Sequence, residues 1–207
     1  KMYKSIYSLA QASFTEQKSE FIAKISPVKT EEDAVSFIES VKAENRKARH
    51  NCYAYVLSGG NLSRYSDDGE PSGTAGSPIL DVIQKNGLSD VAIVVTRYFG
   101  GILLGKGGLT RAYSTAASMA VSAARIMELE PAKALTVTMH YSCYDRVCCC
   151  LPEFDARMTS TDFSDKVKIS ITVRADKTDA LLQKLNDITS GSAVIDISDE
   201  FLYDFAQ

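Results

Sequence analysis

From Leu109 onward, apolar residues recur at steps of 3, 1, 3, 1 without a break: Leu109, Ala112, Tyr113, Ala116, Ala117, Ala120, Val121 and Ala124. That spacing writes one continuous face of a helix. Five of the eight are alanine, so the helix axis can approach its packing partner closely. The other face carries Ser118 and Ser122, with Arg111 and Arg125 near its ends. Just upstream, "VAIVV" is a short apolar run suited to a buried strand. Between run and helix, "GGILLGKGG" (residues 100–108) places five glycines and one lysine in nine positions. Strand, glycine loop, helix is an order in which phosphates are often held.

The remaining segments divide the chain in two. In the first half, strands are expected over Ile6–Ala12 and Phe21–Ile25. Thr30 is expected to cap a helix with acids in its first turn and an apolar stripe of Ala34, Phe37, Ile38 and Val41. "NCYAYVL" reads as a strand and "TAGSPILDVIQKNG" as a helix closed by Asn86-Gly87. In the second half, "ALTVTMH", "ARMTSTD", "KVKISITV" and "AVIDISDEFLY" read as strands, and "YDRVCCCL" and "TDALLQKLNDITSG" as helices. That order, β-α-β-β-α-β, is ferredoxin-like. "ELEPAKA" is taken as the joint, with Pro131 stopping the long helix over 108–127. The domains are then 1–131 and 132–207, with 15 Lys and Arg against 14 Asp and Glu (+1) in the first and 8 against 12 (−4) in the second.

A net charge of −3 gives no global drive toward nucleic acid, so any such binding must come from a local patch. No stretch approaches the roughly 18 apolar residues of a membrane span, and no apolar leader opens the sequence. Five cysteines, three of them consecutive at Cys148–Cys150 and none in a CxxC pair, make neither a disulfide framework nor a zinc site. A cytoplasmic protein with reduced thiols is expected, without membrane, metal or cofactor.

Residues 100–106 fit the first seven positions of the G-x-x-x-x-G-K-[ST] pattern, but Gly107 stands where the magnesium-holding hydroxyl belongs. A hydrolytic nucleotide loop is therefore disfavoured. Two readings remain: a tight connection that needs glycine, or an anion site without hydrolysis. The second is preferred, with backbone amides of Gly100, Gly101, Gly105, Gly107 and Gly108 and the charges of Arg97, Lys106 and Arg111 facing a phosphate from both sides of the loop.

"SRYSDDGEPSGTAGSP" (residues 63–78) gathers Asp67, Asp68 and Glu70 ahead of Thr74. These carboxylates could hold a divalent cation, could serve a turn and the start of a helix, or could pair with Arg97 or Arg111 at the rim of the glycine loop. "RKARHNC" puts Arg46, Lys47, Arg49 and His50 at an expected helix C-terminus. There they compensate the macrodipole, or alternatively form a basic patch for phosphates. His50 and Cys52 would share a strand face, but no third group orients them for nucleophilic work.

"HNCYAYV", "SDDGEPSGTAGSPIL" and "VVTRYFGGILLGKGGLTRAYSTA" together resemble the YigZ/IMPACT family, and the second half resembles the small C-terminal domain of its bacterial members. The resemblance implies an α+β protein of two domains. The first would be like ribosomal protein S5 domain 2, and the second would be a ferredoxin-like βαββαβ domain like those of elongation factor G. The recurring family positions here are His50, Asp67, Asp68, Gly69, Glu70, Gly73, Thr74, Gly76, Arg97, Gly100, Gly101, Gly105, Gly107, Gly108 and Arg111. The resemblance assigns them no role and brings no enzyme activity. It implies translation regulation for the eukaryotic relatives, through a partnership not carried over to this chain.

Three functions follow as expectations. The first is a non-catalytic protein binding RNA or the ribosome, with phosphates over residues 97–111. The second is a metal-dependent enzyme on a nucleotide or other phosphorylated small molecule, using Asp67, Asp68 and Glu70. The third is a scaffold that docks a protein partner on the serine face of the long helix.

Overall fold

The structure is a computed structural model that describes residues 2–206. It forms two compact units, Met2–Glu128 and Leu129–Phe205.

The first unit contains β1 (Tyr3–Ile6), β2 (Ala10–Glu16), β3 (Ser19–Pro27), α1 (Glu31–Glu44), β4 (His50–Leu57), β5 (Leu62–Ser66), α2 (Gly76–Lys85), β6 (Val91–Tyr98) and α3 (Gly105–Ala123). Five strands make one sheet in the order β2-β3-β6-β4-β5, each neighbour antiparallel. β6 lies at its centre with both faces covered, hence its unbroken apolar run. Val91, Ile93 and Val95 pack with α2 and α3, while Ala92 and Val94 pack with α1. The α3 face forms as its spacing predicts: Ala112, Tyr113, Ala116, Ala117 and Ala120 are buried. α1 starts on a capping box, in which Thr30 Oγ1 accepts from Asp33 N at 3.1 Å and the Asp33 carboxylate accepts from Thr30 N at 3.0 Å.

β7 (Ile126–Met139) leads into the second unit, with α4 (Tyr141–Cys150), β8 (Arg157–Phe163), β9 (Val167–Arg174), α5 (Thr178–Thr189), β10 (Val194–Ile197) and β11 (Phe201–Tyr203). The strand order β10-β7-β9-β8 is that of a ferredoxin-like βαββαβ domain. Val167, Ile169, Ile171 and Val173 of β9 form one wall of the core, facing Val147 of α4 and Leu181 and Leu185 of α5.

Three local readings need correction. Ile6–Ala12 is not one strand. Ile6 belongs to the helix-covered core and Ala10 starts the pairing with β3, so the chain breaks between them. The long helix ends at Ala123, and Pro131 sits inside β7. The proline stands just before the ladder to β9, which begins at Ala132, and opposite Leu202 in the ladder to β11. "AVIDISDEFLY" folds as two short strands, both paired with β7. No helix among the described residues is long and apolar enough to cross a membrane.

Candidate functional site

The glycine loop joins the central strand β6 to α3. At its start, Gly100 passes against the β2–β3 hairpin, where a Cβ would lie 1.9 Å from Lys18 O. No side chain fits in that space, so Gly100 is required by packing. Gly101 and Gly105 hold φ of +87° and +69°, the left-handed region that glycine occupies without strain. Gly108 is close-packed, with an added Cβ 3.0 Å from Leu104 Cβ. Gly107 differs from all of these: its φ is ordinary and a Cβ would meet nothing within 4 Å.

The loop leaves the start of α3 uncapped. α1 has its capping box and α2 borrows a carboxylate from Asp67, but among the described residues no side chain accepts from the first-turn amides of α3. Gly100 N donates to Ser19 Oγ at 3.3 Å. Among the described residues, the amides of residues 101–107 meet no acceptor outside the helix's own ladder. Of this stretch, Leu103, Leu104, Gly105 and Lys106 line a cavity of about 420 Å³ at the positive end of the macrodipole. Lys106 and Arg49 line it from the cationic side, and Phe99, Leu103, Leu104 and Leu109 supply apolar wall. His50, Glu70 and Arg97 also line it.

Arg97 and Arg111 do not flank the loop together. Arg97 is buried on β6, its Nη1 donating to Glu70 Oε1 at 2.8 Å, and the two side chains are 6% and 4% exposed. The same Glu70 oxygen accepts from Tyr113 Oη at 2.7 Å, tying the pair to α3. Arg97 Nη2 lies 3.4 Å from Ser19 Oγ, which links the pair to Gly100. Arg97 Nε has no partner. Arg111 is exposed and lines a separate cavity, of about 260 Å³, beside Glu16 and Thr115. Helical geometry turns it away, because residues five positions apart, such as Lys106 and Arg111, are offset by well over 100° around the axis.

The acidic residues hold the chain together. Asp67 Oδ1 accepts from Ala75 N at 3.0 Å and Gly76 N at 2.8 Å, and Oδ2 accepts from Gly73 N at 2.9 Å. Burial pushes its pKa upward, but the three amides outweigh that and hold the carboxyl below its ordinary value. Asp68 accepts from Asn51 N at 2.7 Å and lies 3.8 Å from Lys42. With Glu70 committed to Arg97 and Tyr113, the three carboxylates serve three different partners. Among the described residues no group of three or more His, Cys, Asp or Glu is placed to hold a metal ion. Thr74 is buried and donates to Pro71 O at 2.6 Å, shaping the same turn. Gly69 and Gly73 take φ of +87° and +75°, and a Cβ on Gly76 would strike Ser66 at 2.7 Å.

His50 opens β4 with Nδ1 2.9 Å from Asp68 O. Cys52 is buried, its Sγ donating to Asp67 O at 2.9 Å. Burial pushes the thiol far above its ordinary value, so it is no nucleophile. Arg46, Lys47 and Arg49 follow Asn45, the C-cap of α1, so the cluster does sit at the helix C-terminus. Phe99 and Leu104 line the site, though sequence reasoning passed over them. The basic run pointed to Arg49, but nothing local connected it to a loop fifty residues away.

The model of the Impact N-terminal domain matches residues 17–121, and a domain of unknown function, DUF1949, matches residues 137–192. IMPACT family member YvyE of Bacillus subtilis is 36% identical over 180 residues, covering 86% of this chain and 83% of that protein. The chain belongs to the IMPACT family. IMPACT family member YigZ of Escherichia coli is 35% identical over 179 residues, covering 85% and 88%. A crystal structure of a hypothetical protein superposes with a TM-score of 0.62 at 31% identity, covering 94% of this chain and 96% of that one. IMPACT family membership supports a regulatory or binding role at the level of the family.

Proposed function

We propose that the protein is a non-catalytic regulator that binds RNA, free or within the ribosome, by seating phosphate at the open start of α3. One observation carries this reading. The uncapped start of α3, residues 103–106, lines a cavity together with Arg49. An oxyanion there would accept several N–H bonds at the positive end of a helix. The commitment of Asp67, Asp68 and Glu70 to structural partners weighs against the metal-dependent enzyme. The serine face of α3 does form an exposed groove with Ser114, Ser118 and Ser122, but its chemistry selects no partner.

Binding to structured RNA and to purified ribosomes, titrated with salt, tests the reading. Affinity should fall as salt rises. Arg49→Ala with Lys106→Ala should bind more weakly and flatten the slope of log K against log salt by about 1 for each phosphate no longer held. Arg111→Ala, aimed at another cavity, should bind as the parent does. Salt-independent binding, or a double variant that binds normally, would overturn it.

A further inference from the structure

We propose that the occupant of the cavity beside α3 is an unpaired nucleotide of an RNA strand, its phosphate on the amides of residues 103–106 and its base against Phe99. This rests on the RNA-binding reading above and adds which element of an RNA is taken.

Shape is the first argument. At about 420 Å³ the site has the size of a small-ligand pocket. A duplex presents phosphates on a convex surface and keeps its bases stacked, so it cannot enter such a space; a splayed nucleotide can.

The second is the mixture of chemistries in one cavity. Phosphate alone needs only N–H donors and cations. Here Phe99 is 49% exposed and Leu103 84% exposed, next to the uncapped helix start. The Arg97 guanidinium carbon lies 5.4 Å from the Phe99 ring centre, which braces an aromatic surface still half open to solvent. A cationic pole beside an apolar, aromatic wall matches a phosphate joined to a base.

The third is Arg97 itself. Its side chain is 6% exposed and lines the cavity, with its Nη atoms held by Glu70 and Ser19 and its Nε sealed from solvent, so it contributes charge rather than a free donor. With Arg49 and Lys106 it makes three cations against the one carboxylate of Glu70.

The test compares a short single-stranded oligoribonucleotide with the blunt duplex of the same sequence by fluorescence anisotropy at fixed salt. The single strand should bind about tenfold more tightly. Phe99→Ala should lower single-strand affinity about tenfold, and Phe99→Tyr should restore it. Thermal melting of Phe99→Ala, a change at a half-exposed ring, verifies that the fold is kept. Lys106→Ala should weaken single-strand binding as well, because it lines the same cavity. Equal binding of duplex and single strand, or an unchanged affinity in Phe99→Ala while Lys106→Ala still weakens binding, overturns the unpaired nucleotide and leaves the RNA reading standing. No salt-sensitive binding of either RNA removes both.

Discussion

Glu70 and Arg97 meet at 2.8 Å, almost wholly out of solvent, in the space between β6 and α3. They lie 27 residues apart in the chain. Tyr113 shares the same carboxylate oxygen. Removing one member of a buried pair strands the other's charge, which costs about 3–5 kcal/mol. Glu70→Ala should therefore lower the free energy of unfolding in urea by that much, a large share of a typical domain's stability. A loss below about 1 kcal/mol would mean that water replaces the carboxylate. Tyr113→Phe, which removes one hydrogen bond to a charged group, should cost about 1.5–3 kcal/mol.

Asp67 works as a remote cap for α2, nine residues before the amide of Gly76. Asp67→Ala should cost about 2 kcal/mol at neutral pH. The sign of its pH dependence follows from the lowered pKa. A carboxyl whose folded pKa is depressed contributes fully above its unfolded pKa of about 4, and loses that contribution as pH falls toward the folded value. The stability gap between parent and Asp67→Ala should thus be constant from neutrality down to about pH 5 and narrow below about pH 4. Paired denaturation curves across that window measure it. A gap that widens with acid contradicts the assignment.

The loop glycines separate structure from function. Gly100→Ala forces a Cβ into the backbone of Lys18, and should destabilise the fold by several kcal/mol. Gly107→Ala meets nothing in the protein and should stabilise α3 by up to about 1 kcal/mol. The same change should leave RNA binding as it was, because Gly107 does not line the cavity. In Gly107→Ala the melting temperature should rise while affinity holds.

What was legible in the sequence was periodic. The 3, 1, 3, 1 face of α3, the buried run of β6 and the alternation of β9 each follow from one segment's own pattern. What was not legible depended on partners distant in sequence. The β2–β3 turn is made by Gln17 and Lys18 at φ of 44° and 66°, without the Asn-Gly pair that marks such turns. Pro131 looked like a helix stop because the strand around it is defined by β9 and β11, not by its neighbours. The motif residues were found as a set, but their roles were not. Asp67, Asp68 and Glu70 sit within four positions and serve three different elements, and Arg111 follows Lys106 in sequence but lines a different cavity. Family resemblance marks such positions without saying which bind and which brace.

The most direct measurement is a backbone amide NMR titration of the intact protein with single-stranded RNA, repeated with inorganic phosphate. The amides of residues 103–106, with those of Arg49 and Phe99, should shift in a saturable and salt-sensitive way with RNA, and the first-turn amides should shift more weakly with phosphate. Saturable shifts that leave residues 103–106 unmoved, or none at concentrations where RNA is retained by the protein, would contradict the assignment of α3's N-terminus as the binding site.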